Sequence, residues 1–282
     1  MHSSKGNITL VPVGGLSNRL WSIASAVALA DHCHLPLRIY WFRDAGLNCR
    51  FDQLFQPIIH EGVTLIEAGA LQWFYDRPRR KNFWLPTLWQ DIAFSRRMYE
   101  DDERLLMDNR FDFPQWAGNS RCYIASFRRF FPYPDDACRS LFRPTSELRQ
   151  RIDEVTAKFT PQTIGIHLRR TDHTFSLQES PLYLFEQTIE SEIARDANAN
   201  FYLATDSEED KRHLRERYGN RILTYDCPLT RGSLQGMQAA VVELWVLSRT
   251  REIIGSHRST YSQLAAELTN IPCHMLRKSQ QS

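Results

Sequence analysis

No apolar run in the 282-residue sequence reaches the ~18 residues that a membrane-spanning helix needs. Met1 to Gly6 holds no charged stretch leading into an apolar one, so the mark of a secretory signal is missing as well. Cysteine is sparse: the six residues at 33, 49, 122, 138, 227 and 273 form no C-x-x-C pair, which excludes a disulfide-stapled scaffold. His32-Cys33-His34 is the tightest metal-like cluster, but it lacks a second ligand pair at finger spacing, and a helix end accounts for its histidines. A reducing cytoplasm is the expected location. Net charge is almost absent: 35 basic against 33 acidic residues leave +2, too balanced for a chain whose main partner is duplex nucleic acid. Any anion site must then be local. Lysine is scarce, at five residues (5, 81, 158, 211 and 278), so the cations are nearly all guanidinium, which grips phosphate bidentately. Genomic base composition is the plainer source of that bias. G-x-S-x-G, Gly-Lys-Ser/Thr and H-E-x-x-H are also missing, and with them the nucleophile elbow, the P-loop and the zinc protease helix.

What is present is a globular composition, 42% hydrophobic, 12% aromatic and 24% charged. At roughly 150 residues per domain it predicts two domains. Ile8 to Val13 is a short apolar run bounded by Gly14-Gly15. From Arg19 to His32, Leu20, Ile23, Ala24, Val27 and Ala28 recur at helical spacing, with Ser17 or Asn18 as N-cap, and Leu37 to Trp41 is the next strand. This is a βαβ unit. The stretch 68–120 mixes aromatics with a basic run at Arg77 to Lys81 and an acidic one at Glu100 to Glu103. Loop packing or an acceptor cleft with sugar-stacking indoles are both open there, and peripheral membrane contact through 73–97 is a further expectation.

Beyond 160 the pattern becomes regular. Strands at 163–168, 201–205, 221–225, 252–255 and 273–276 alternate with helices at 181–195, 207–218, 233–250 and 260–269, the rhythm of a parallel sheet covered on both faces. Prolines 132, 134, 144 and 161 flank a polar helical stretch and mark the seam, so the expected domains are 1–145 and 146–282. The expected fold is α/β, two Rossmann-like domains with a cleft between them, which is the GT-B arrangement.

Two stretches carry chemistry. Gly14-Gly15-Leu16-Ser17-Asn18-Arg19 links strand to helix, where backbone N–H groups can face a phosphate; a tight turn needing positive φ explains the glycines equally well. In Ile164 to Asp172, His167 and Arg169 project from one face at the strand's carboxyl end, as a diphosphate clamp requires. Arg170 reads as half of an ion pair with Asp172 or as a further donor-binding group. Asp206 or Ser207 caps the helix that follows the strand at 201–205.

The run H-x-R-R-x-D at 167–172 resembles the first motif of the α1,2/α1,6 and protein O-fucosyltransferase superfamily. Phe201 to Asp206 is similar to the strand ending in L-A-T-D of its α1,6 branch, and Leu247-Ser248, Ile253 to Ser256 and Ser259 are similar to its third motif. Gly14 to Ser22 resembles the N-terminal loop of bacterial nodulation-factor enzymes of that branch. The likeness spans 8–41 and 163–268 and leaves 68–135 uncovered.

The resemblance implies transfer of fucose from GDP-fucose, as substrate and without further cofactor, to a glycan or glycolipid acceptor. A silent nucleotide-sugar binder or use of another GDP-sugar are the alternatives. It implies Arg169 at the β-phosphate, His167 and Asp206 at the nucleoside, Ser256, Ser259 and Thr260 near the phosphates, and Gly14, Gly15 and Asn18 at the diphosphate. The sequence has no Asp-x-Asp, so a divalent ion is not expected, and the leaving charge falls to Arg169, helix N-termini and hydroxyls. The expected reaction is an inverting displacement. Glu179 is the candidate general base, with Asp172 and Asp44 as the other acids; an ordinary loop role fits Glu179 as well.

Overall fold

The computed structural model describes residues 6–100, 102, 111–170, 178–227, 230 and 232–278. The chain divides into two compact units, Met1–Arg143 and Pro144–Ser282, against a boundary expected at 145/146.

In the first unit, strands β1 (Asn7–Pro12), β2 (Leu37–Trp41), β3 (Val63–Glu67), β4 (Arg96–Met98) and β5 (Arg121–Ser126) form a parallel sheet in the order β3-β2-β1-β5-β4. Helix α1 (Leu16–Cys33) joins β1 to β2 and is buried along most of its length, with Leu20, Ile23 and Ala26 inaccessible to solvent. Short helices α2 (Pro86–Ala93), α3 (Phe113–Ala117) and α4 (Ala137–Leu141) complete the unit. The helix starts at Leu16, earlier than the periodicity predicts. Gly14, at φ +83°, turns the chain at once, Gly15 takes the N-cap place, and Ser17 and Asn18 lie inside the first turn without capping it. The sequence reading contains no strand between 42 and 162, whereas β5 pairs along its whole length with β1.

The second unit has strands β6 (Ile164–Leu168), β7 (Phe201–Thr205), β8 (Ile222–Thr224), β9 (Ile253–Ser256) and β10 (Cys273–Leu276), parallel in the order β10-β9-β6-β7-β8. Helices α5 (Ser146–Thr156), α6 (Leu182–Arg195), α7 (Glu208–Tyr218), α8 (Leu234–Leu247) and α9 (Thr260–Glu267) flank it. All five strands and the four later helices stand where the alternating pattern puts them, within three residues at each end. Ile164, Ile166, Leu168, Phe185, Ile189 and Leu203 build one core, each fully buried aliphatic side chain contributing about 1.5–3 kcal/mol. At Gly255 an added Cβ would stand 2.5 Å from the Ser262 hydroxyl, so only glycine lets α9 press this closely on β9.

The strand orders position the site. In the second unit the chain moves outward from β6 through β7 and β8 and then crosses to β9 on the other side of β6. In the first unit β1 is flanked in the same way by β2 and β5. Each reversal leaves, within its own sheet, a crevice at the carboxyl end of the central strand, where ligands bind in open α/β sheets.

Candidate functional site

At the carboxyl end of β6, Ile166 and Leu168 turn into the core while His167 and Arg169 are partly exposed, as strand alternation requires. Three buried serines fix this strand end. Ser262 Oγ lies 2.8 Å and Ser259 Oγ 3.1 Å from His167 Nδ1. Ser256 Oγ accepts the Arg169 backbone N–H at 3.0 Å and donates to the His167 carbonyl at 3.4 Å. Tyr261 packs its ring against the imidazole, centroids 4.8 Å apart. Ser259 also caps α9 by accepting the Ser262 N–H, and Arg258 at φ +59° bends the chain into that cap. The hydroxyls of Ser256 and Ser259 are thus engaged inside the protein, aiming His167 and Arg169, and Thr260 is the partly exposed residue that opens α9. Ser262 was not anticipated from the sequence; its signal is the Ser-x-x-Ser spacing of a cap.

At the adjoining end of β7, Asp206 Oδ1 accepts the Arg170 backbone N–H at 2.6 Å. Ser207 caps α7 through the Asp210 N–H, which settles the choice between the two neighbours and leaves Asp206 to the strand ends. The Arg170 guanidinium pairs with Asp210 at 2.9 Å and reaches the Ser180 carbonyl at 3.4 Å. Among the described residues its ionic partner is Asp210. Asp172 lies outside the described residues.

Glu179, the candidate base, is engaged in a pairing of its own. Its carboxylate accepts Arg277 Nε at 2.8 Å and its carbonyl accepts the Lys278 N–H at 2.8 Å. Ser180 beside it is buried and fastens the segment, donating to the Leu276 carbonyl at 2.6 Å and accepting the His257 N–H at 2.8 Å.

Glu243 on α8 went unread in the sequence, although one acid inside the apolar run Val241 to Leu247 is a visible anomaly. Burial pushes its carboxyl up to about 8; Asp206 and Glu208 push the same way, and Lys211 opposes them. Lys211 itself is buried and pairs with Glu208 at 3.0 Å. Asp206, Lys211 and Glu243 form one coupled polar group beside the sheet.

In the first unit the first turn of α1 has no side-chain cap and no acidic residue, so the N–H groups after Gly15 lack a side-chain acceptor. Arg19, fully buried, fixes this loop. It donates to the Gly14 carbonyl at 2.9 Å and the Phe42 carbonyl at 2.5 Å, pairs with Asp44 at 2.9 Å and lies over Trp41. Burial lowers its pKa against the pull of Asp44. Asp44 in turn accepts the N–H groups of Gly46 and Leu47. That acid is a structural anchor, tying the loop after β2 to the glycine turn.

Among the described residues no three His, Cys, Asp or Glu side chains gather as metal ligands. No family model and no curated protein matches the chain. Solved structures do. A NodZ α1,6-fucosyltransferase soaked with GDP-fucose is 19% identical, with 94% of this chain and 93% of that one covered and a TM-score of 0.64. FUT1 of Arabidopsis thaliana, a mutant in complex with GDP, is 16% identical over 100% of this chain and 72% of its own, with a TM-score of 0.64. Apo POFUT1 is 12% identical over 98% and 99%, with a TM-score of 0.56. The two parallel sheets and their flanking helices have the fold of the fucosyltransferase superfamily to which the motifs at 14–22, 167–172 and 201–206 pointed.

Proposed function

We propose that this protein is a glycosyltransferase that moves fucose from GDP-fucose to a glycan or glycolipid hydroxyl, inverting the anomeric carbon without a divalent ion. One observation carries the reading: His167 and Arg169 are locked by three buried serines at the topological switch point of the second sheet, beside the N-terminus of α9. NodZ, which shares the fold, was soaked with that donor.

In this reading the Arg169 guanidinium takes the β-phosphate oxygens, and the N–H groups opening α9, with Thr260, take the charge that gathers as GDP departs. His167 and Asp206 face the nucleoside. Arg170, paired with Asp210, steadies Asp206 through its backbone N–H. Glu243 suits guanine, whose N1–H and amino group together offer a carboxylate two parallel donors. Gly14, Gly15 and Asn18 supply a second group of backbone donors for the diphosphate at the uncapped start of α1. The acceptor oxygen attacks the anomeric carbon from the face opposite the diphosphate, its proton passes to a base, and the carbon–oxygen bond to the β-phosphate breaks.

The base decides between turnover and binding alone. Glu179 and Asp44 both hold structural partners, which favours, as a second reading, a silent nucleotide-sugar binder. A thermal-shift series with GDP, GDP-fucose, GDP-mannose and UDP-sugars, followed by GDP release in the presence of extracted glycans, separates the two. GDP compounds at a hundred times Kd stabilise by about 2.7 kcal/mol, while UDP-sugars leave the midpoint unmoved. GDP released with acceptor establishes transfer; a shift without release establishes the binder.

A further inference from the structure

Helix α2 is apolar on two sides. Trp89 and Ala93 pack against the cluster of Val11, Tyr40, Phe94 and Tyr123, and Gln90, wholly buried, donates to the carbonyls of Phe74 and Asp76. That face accounts for the folding of the helix. On the other side Leu85, Leu88 and Ile92 fall within an arc of about 60° at 100° per residue, and they are 48%, 68% and 81% exposed. Phe83 and Trp84 precede them, 79% and 56% exposed, at φ +53° and +54°. Two consecutive aromatic residues in the left-handed region are a strained arrangement, and here it turns large rings outward where a relaxed turn could withdraw them.

The charges around this face are lopsided. Asp76, Asp91 and Glu100 are neutralised by Arg79, Arg97 and Arg77 respectively. Arg80 and Lys81, exposed and adjacent to Phe83, have no carboxylate against them among the described residues. Exposed aromatic and aliphatic side chains rimmed by uncompensated cations are what an anionic lipid surface accommodates: rings and leucines at the headgroup boundary, cations among the phosphates. A second copy of this chain would bring the same cations face to face, and a bare sugar cleft needs no leucine and isoleucine pointing into water.

We infer that Phe83, Trp84 and the Leu85-Leu88-Ile92 face of α2, with Arg80 and Lys81, form a docking surface for an anionic lipid bilayer. The unit touches the bilayer without crossing it, consistent with a chain in which no described helix is long and apolar enough to span one. Through this contact the protein would meet a lipid-borne acceptor in two dimensions.

The test is flotation of the full-length protein with vesicles of phosphatidylcholine alone or with about one third phosphatidylglycerol. Binding to the anionic vesicles, weakened by salt and small on neutral ones, is expected. Arg80→Glu with Lys81→Glu should weaken it roughly 30-fold or more, since each cation near such a surface counts about fivefold. Trp84→Ser with Leu88→Gln and Ile92→Gln should weaken it at least roughly 100-fold. These side chains are exposed, and an unchanged GDP-induced thermal shift verifies that each variant is folded. Equal binding to both vesicles, binding that survives the triple substitution, or a concentration-dependent dimer abolished by that substitution would each overturn the inference.

Discussion

In the proposed reaction Arg169 takes the diphosphate and Glu243 the guanine, and each role answers to a different measurement. Arg169 emerges beyond a buried strand with its backbone already fixed by Ser256. Arg169→Ala should lower kcat/KM by roughly 10²-fold or more, the loss of one oriented donor to a developing oxyanion, with a small change in melting temperature. Glu243 answers to pH. Its carboxyl is pushed from the ordinary carboxylate value of 4.5 up to about 8 in the folded chain, so the folded state holds a proton that the unfolded chain releases. Its contribution to stability is therefore full below about pH 4.5 and falls as pH rises toward 8. Glu243→Gln should flatten that decline and be the more stable form at pH 8.5, by about 2 kcal/mol. Denaturant unfolding from pH 5 to 8.5 measures it, and parallel pH profiles for the two proteins would remove Glu243 from the coupled group. If the ionised carboxylate receives guanine, GDP affinity also rises with pH over this range in the native protein and stays level in Glu243→Gln. The serines show why such roles were hard to read. Ser256 and Ser259 are placed near the phosphates by the sequence resemblance, and only the folded chain shows their buried hydroxyls, with that of Ser262, set against His167 and Arg169.

The elements that matter begin with glycine turns. Gly14 adopts φ +83°, and an added Cβ would also approach Asn18 to 3.2 Å; Gly15 has an ordinary extended conformation and open space around it. The two neighbours separate stability from binding. Gly14→Ala should cost about 1–3 kcal/mol of folding stability, measured by denaturant melts. Gly15→Ala should leave stability nearly unchanged while weakening GDP-fucose binding several-fold in calorimetry; unchanged affinity would remove the start of α1 from the donor site. The same two residues show what periodicity conveys and what it does not. The apolar repeat from Leu20 announces a helix, but its first residue follows from the left-handed turn at Gly14, a backbone event without side-chain pattern. Strand β5 was missed for another reason. Its apolar core is short and lies beyond an irregular aromatic stretch, and its pairing with β1 is a long-range contact.

For the whole molecule, charge economy sets the chemistry. In the proposed reaction, for which the sequence offers no Asp-x-Asp, leaving-group charge falls to Arg169 and helix N-termini, so turnover of GDP-fucose should be unaffected by millimolar EDTA and by added Mg²⁺ or Mn²⁺. Initial rates with and without chelator check this, and loss of activity on chelation would reassign the diphosphate to a metal. Both sheets place a central strand at a reversal of chain direction, and both candidate loops follow that strand, β1 into Gly14 and β6 into Arg169. Cys49, Cys122 and Cys227 have their thiols pushed up to about 12 by burial, which disfavours the thiolate at each.

The sequence alone determined the second unit almost entirely: short apolar strands with interleaved helical periods admit one layered arrangement, and His167-x-Arg169 at a strand end follows from simple alternation. It also determined that no clustered acids wait for a metal at Asp-x-Asp spacing. Tertiary structure decided the rest. It joined buried Arg19 to Asp44 beside Gly14, paired Glu179 with Arg277, and brought Glu243 to Asp206 across two elements. The division has a physical cause. Periodicity and turn chemistry act between near neighbours and are written in the order of residues, while burial and ion pairing depend on which distant segments fold against one another.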